Sequence, residues 1–202
     1  MRYLLSSICF LFLISCASYS KKNALVKEQI NTVQVYNPYF SNEAKDYVYK
    51  ADLQFYKRKF SGIIIIKKIA EKEHRLVFAT EMGNKIFDFS FHQNEFKVNY
   101  VLGDMDKKII LNILQRDFTT LLKEYNTSTR TFSRESLNVK EAEVGNKRHF
   151  YFYENVGLTK IVRERKGKEK VVYHFLEIKD NIAQRILIEH KNIQLKIKLK
   201  GI

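Results

Sequence analysis

Cys16 ends the stretch Leu13-Ile14-Ser15-Cys16, in which small and apolar residues lead into a cysteine at the close of a short apolar run. That arrangement suits one chemistry, acylation of the cysteine sulfur followed by cleavage of the peptide bond on its N-terminal side. Arg2 supplies a positive start, and Leu4 to Ile14 form an apolar segment too short to span a bilayer. The stretch reads as a bacterial lipobox. Residues 1–15 are then a lipoprotein signal peptide, and Cys16 is the lipidation site that anchors the chain to a membrane outside the cytoplasm. Ala17 follows the cysteine where an Asp would retain a lipoprotein at the inner membrane, so the expected location is the periplasmic side of the outer membrane.

The rest of the chain holds no catalytic constellation. His74, His92, His149, His174 and His190 are scattered without metal-ligand spacing, no second cysteine survives removal of the signal, and Gly83-Asn84-Lys85 lacks the glycine-rich lead of a phosphate loop. The expectation is a non-enzyme with no metal and no cofactor. The net charge of +14 would favour nucleic acid in a cytoplasmic protein. Behind a lipobox it favours anionic head groups or acidic partners instead, and nucleic acid is not expected.

The elements that would carry such a surface protein can be read from periodicity. Residues 16–43 are weakly patterned and contain the only proline, Pro38. They read as a lipidated N-terminus and tether with local order near Tyr36 to Phe40, and a free tether of that length reaches about 30 Å. From 44 to 202 alternation of period two dominates. Tyr47, Tyr49, Ala51, Leu53 and Phe55 share one face, and Ile63 to Ile66 is apolar on both, which predicts a central strand covered twice. Phe78, then Phe87, Phe89 and Phe91, then Phe96, Val98 and Tyr100 build an aromatic wall.

Between Asp106 and Tyr125 the period changes. Ile110, Ile113, Leu114, Phe118, Leu121 and Leu122 recur at three- and four-residue spacing, predicting one amphipathic helix with Asp106, or alternatively Asp104, as its N-cap. Six further strands follow, and the run from Arg163 to Lys170 reads as a solvated hairpin tip. The fold class predicted is mainly β: a curled antiparallel sheet of about eleven strands, an open half-barrel, covered by that helix.

One turn stands out. Thr80-Glu81-Met82-Gly83-Asn84 joins two strongly patterned strands and sets a methionine beside a glycine able to adopt a left-handed backbone. Met82 either folds back onto the core or forms an exposed apolar tip worth roughly 1.5–3 kcal/mol when buried in lipid.

The lipobox, the run His74-Arg75-Leu76-Val77-Phe78-Ala79-Thr80-Glu81-Met82-Gly83, the helix and the final Ile193-Gln194-Leu195-Lys196-Ile197-Lys198-Leu199 together resemble the LolB family of outer-membrane lipoprotein receptors. In that family an apolar residue precedes a glycine in a protruding turn, the position of Met82 and Gly83 here. Glu81 stands where the family carries a proline, and tryptophan is absent.

The resemblance implies a monomeric receptor that takes lipoproteins from a LolA-like periplasmic carrier, holds their acyl chains inside the half-barrel and inserts them into the outer membrane. The lining residues it implies are Phe78, Phe87, Phe89, Phe91, Phe96, Tyr100, Ile110, Leu114 and Phe118, each of which is equally compatible with an ordinary core. The alternatives are a lipid or small apolar ligand binder of the same fold without handover, and a structural lipoprotein packing through its basic face.

Overall fold

In the computed structural model, residues 18–29, 32–93, 95–155 and 157–202 are described. Cys16 and the signal segment lie outside them. Among the described residues fourteen strands form one sheet: β1 (Val26–Gln29), β2 (Val33–Tyr36), β3 (Asp46–Phe55), β4 (Arg58–Ala70), β5 (Glu73–Ala79), β6 (Lys85–His92), β7 (Glu95–Val101), β8 (Tyr125–Arg134), β9 (Leu137–Val144), β10 (Lys147–Glu154), β11 (Gly157–Arg165), β12 (Lys168–Lys179), β13 (Ile182–His190) and β14 (Leu195–Gly201). Two helices accompany them, α1 (Tyr19–Lys22) and α2 (Lys108–Leu122).

The strand order is β1-β8-β9-β10-β11-β12-β13-β14-β3-β4-β5-β6-β7, antiparallel throughout, with β2 paired to β8 beside β1. The chain's two halves meet where β14 pairs with β3, Ile197 opposite Leu53. The sheet is not closed. The β7–β8 connection therefore starts at one open edge and arrives at the other, and α2 lies within that connection. Its apolar stripe, Ile110, Leu114, Phe118 and Leu121, is buried in the same cluster as Tyr49, Leu53, Ile64, Leu76, Phe78 and Phe87. Topology thus makes α2 the cover of the concave face.

Several expectations change on inspection. The strands number fourteen rather than eleven, because β9 and the short β1 and β2 add to the predicted set. β4 is covered on one face only. Ile64 and Ile66 are fully buried, whereas Ile65 and Ile69 lie on the outer face and are nearly half exposed. α2 begins at Lys108, with Lys107 as an N-cap that contributes no side-chain bond. Asp106 instead sits in the preceding turn, its backbone N–H donating to Leu102 and Gly103 carbonyls.

The segment read as a tether is largely docked. Val35, Tyr39 and Phe40 are buried in the main core. Asn37 is fully buried, its Nδ2 donating to the Leu121 carbonyl at 2.8 Å, which satisfies one of the orphan carbonyls at the end of α2. Ahead of it, Tyr19 and Leu25 pack with Phe132, Val139, Phe150, Phe152, Val162 and Val172 in a second core on the convex face. The Tyr19 ring lies 4.6 Å from that of Phe150, and its hydroxyl donates to Glu169 at 2.9 Å. Within the segment read as a leash of about 30 Å, the chain thus packs on the domain at Tyr19 and Leu25 and again at Val35, Tyr39 and Phe40.

Candidate functional site

The tip is built by its own backbone. Between β5 and β6, Thr80 N–H donates to the Asn84 carbonyl at 2.9 Å, Gly83 N–H to the Thr80 carbonyl at 2.9 Å, and Asn84 N–H to Thr80 Oγ1 at 3.1 Å. Gly83 takes φ +86°, a conformation that side chains penalise. The turn closes so tightly that Met82 is pushed outward, and it is 92% exposed. It does not fold back onto the core. Gly62 on β4 forms the floor beneath: a Cβ there would meet the Ala79 carbonyl, so only glycine lets β5 and its turn cross so closely.

The neighbouring loops share the character of the tip. Arg58 at the start of β4 pairs with Asp104 of the β7–α2 connection at 3.1 Å, and Leu102 N–H donates to the Ile86 carbonyl near the start of β6. Tyr56, Leu102 and Ile109 are all exposed. Lysines 57, 59, 85, 107 and 108 are interspersed with them in sequence.

Inside the sheet, Phe78, Phe87, Phe89, Phe91, Ile110, Leu114 and Phe118 are brought together, with Phe96 half-buried against them. Phe87 and Phe89 stack at 4.5 Å, Phe87 meets Phe78 at 5.2 Å and Phe118 of α2 at 6.1 Å. These rings fill one another's space. A cavity of about 340 Å³ opens at the C-terminal end of α2, lined by Leu122, Tyr125 and His74 among others, and of the nine predicted lining residues Phe91 alone reaches it.

Tyr100 departs from the wall. A bulge on β7 pairs Val98 with Phe89 but Tyr100 with Asp88, so the alternation slips and Tyr100 points to the convex side. There the Lys85 ammonium lies 5.8 Å from its ring centre. Beneath it Asp88, 1% exposed, accepts from Arg75 Nε at 3.0 Å and Nη2 at 2.8 Å, from Lys85 Nζ at 2.9 Å and from Asn99 Nδ2 at 3.1 Å. These donors, Arg75 first, hold its carboxyl well below the usual range.

A polar cluster lies where α2 meets β11–β13, and the sequence reading missed it. Asp117 is fully buried and accepts from His190 Nε2 at 2.6 Å and the Tyr173 hydroxyl at 3.4 Å, with Arg163 3.9 Å away. Arg163 and Glu164 therefore turn into the protein, Glu164 meeting Arg148 at 3.1 Å, and the predicted solvated run is exposed only around its turn. His149 Nδ1–H donates to the Lys147 carbonyl at 2.9 Å, which leaves Nε2 to accept from Thr120 at 3.3 Å. Burial lowers the His149 pKa to about 4, so the ring is neutral at pH 7.

Among the described residues no group of histidine, cysteine and carboxylate side chains is placed to hold a metal. None of their helices is long and apolar enough to cross a membrane. No family model matches the chain, and no curated protein matches its sequence. Four chains of known structure match. One is a DUF1329 family protein from Desulfovibrio piger, with a TM-score of 0.41 and 6% identity over 78% of this chain and 83% of that one.

Proposed function

We propose that this chain is a lipid-anchored receptor that accepts lipoproteins from a LolA-like periplasmic carrier and inserts them into the outer membrane from its periplasmic side. The observation that carries the reading is Met82, held almost wholly in solvent by a turn whose shape depends on Gly83 and Gly62. An exposed thioether side chain at a rigid tip has no folding role. Inserted between acyl chains it contributes roughly 1.5–3 kcal/mol, enough to orient a domain already held at the surface.

Two further features support it. Ser18 is the N-cap of α1, which docks on the convex face, so a lipid on Cys16 would hold the domain within about two residues of the bilayer. The concave interior is aromatic and covered by a single helix hung between two loops. A client chain of about sixteen carbons gains on the order of 12 kcal/mol on leaving water. Displacing α2 would offer it Phe78, Phe87 and Phe89 of the sheet, a surface that must hold the chain less well than lipid does if release is to follow.

Reconstituted transfer tests the proposal. Carrier-bound lipoprotein is mixed with liposomes bearing the wild-type chain or Met82→Glu. The reading expects the variant to fold and to take up the client while insertion falls at least tenfold. Insertion at the wild-type rate would remove the role given to Met82.

The 340 Å³ cavity beside Phe91, Leu122 and Tyr125 favours a second reading, storage of a small apolar ligand without handover. Native mass spectrometry of the purified chain separates the two: a tightly retained small molecule supports storage, and an empty protein that gains mass only on meeting loaded carrier supports handover.

A further inference from the structure

A second cavity, about 580 Å³, lies between α2 and the concave side of β9–β11. It falls within the range of ligand sites, about 300–1,000 Å³. Its α2 wall is a stripe at four- and three-residue steps, Asn112, Arg116, Thr119 and Lys123, and Lys147 after the β9–β10 turn and Arg163 on β11 face it. The stripe lies on the side of α2 away from its apolar face, with Asn112 and Arg116 exposed and Thr119 and Lys123 half-buried.

The charges do not cancel locally. No carboxylate lines the cavity, and Asp117, which the lining Arg163 approaches, also accepts from His190 and Tyr173. Among the described residues no carboxylate lies within 4 Å of Arg116, Lys123 or Lys147, while Arg163 reaches Asp117 at 3.9 Å. Lys123 is half-buried, and burial lowers its pKa, which marks a cation held away from water without a counter-charge. His149, on the same wall, is neutral and contributes no positive charge at pH 7.

We propose that this cavity binds an oxyanion of the phosphate class, a phosphoryl or phosphodiester group. Donors approach from three sides: α2, the β9–β10 turn and β11. A tetrahedral anion offers acceptors in all of those directions, whereas a planar carboxylate would engage a single guanidinium fork. Arg163 forms the deep end and Arg116 and Lys147 the exposed rim, so the anion enters from solvent without moving α2. The site is independent of the tip and of the transfer role proposed above, and it stands or falls by itself.

The source of the phosphate group, free ion or lipid head group, is settled by calorimetric titration of the full-length chain in non-ionic detergent. The probes are inorganic phosphate and glycerophosphoglycerol, a phosphodiester head group without its chains. Tighter binding of the diester assigns a head group, and tighter binding of phosphate assigns the free ion. In either case Arg116→Gln with Lys123→Gln weakens binding at least tenfold. Lys198→Gln with Lys200→Gln, on the outer side of β14, leaves it unchanged. Arg116 and Lys147 are both exposed, so Arg116→Gln with Lys147→Gln serves as a second pair outside the core, and unchanged thermal unfolding certifies both. The proposal is overturned if neither probe binds at millimolar concentration, or if the cavity pair and the β14 pair weaken binding equally, which would be adsorption to net charge.

Discussion

Gly62 lies against the backbone where β5 ends. A methyl group in place of its hydrogen would stand 2.9 Å from the Ala79 carbonyl carbon and from Thr80 Cα. Neither neighbour is a flexible side chain, so the strain must be taken up by the strands. Gly62→Ala is expected to destabilise the chain by about 1–3 kcal/mol, the usual cost of an overpacked site. Thermal unfolding reads it, and an unchanged midpoint would mean that the base of the tip yields freely.

Asp88 makes stability depend on pH at the acid end. Its pKa is depressed in the folded state below the ordinary 3.8, so its contribution is complete above that value and is lost as pH falls from there toward the folded pKa. Asp88→Asn is expected to lose roughly 1–3 kcal/mol at pH 7. It should also flatten the decline below about pH 4. Denaturant titrations at several pH values check both, and a variant with the same acid limb as wild type would contradict the assignment.

His149 acts in a different window with the same sign. Burial, aided by Arg163 and Lys123, lowers its pKa from 6.5 to about 4. Between those values the unfolded chain binds a proton that the folded chain refuses, so stability falls as pH drops from 6.5 to 4. His149→Asn keeps a donor for the Lys147 carbonyl and removes the titration. Its stability should change less over this window, and nuclear magnetic resonance titration of the wild-type ring should find it neutral at pH 6.

Phe118 tests whether α2 is a packed cover. It is fully buried, 6.1 Å from Phe87, and Phe118→Ala is expected to cost about 3–5 kcal/mol. Calorimetry measures that loss. A cost below about 1 kcal/mol would mean that the helix does not press on the sheet.

Much of this architecture is legible in the sequence where one face of a strand is buried. On β14, Leu195, Ile197 and Leu199 are buried with lysines between them, and the spacing of Ile110, Leu114, Phe118 and Leu121 marks α2. Legibility fails where an element serves two cores. On β9, Val139 faces the convex cluster while Ala142 and Val144 face the concave side, and Lys140-Glu141-Ala142-Glu143 has no run of large apolar residues on one face to mark a strand.

At the candidate site the exposure of Met82 was one of two open readings, because its environment depends on how closely β4 and β5 cross at Gly62. Tyr100 was misplaced by a one-residue bulge that composition does not signal. Asp117 and Arg163 looked like surface residues, since their partners His190 and Tyr173 lie 73 and 56 positions from Asp117. The docking of Tyr19 and Leu25 left no periodic trace, as a four-residue helix is too short to show one.

Depletion of this protein in its own host probes the proposed lipoprotein handover where it would occur. Membranes are fractionated and the outer-membrane lipoproteins counted. Many lipoproteins are expected to stall in the periplasm or at the inner membrane, and wild type but not Met82→Glu is expected to restore them. A lipoprotein distribution unchanged by depletion, also when any related gene is depleted with it, would contradict handover and leave a ligand-binding protein of the same fold.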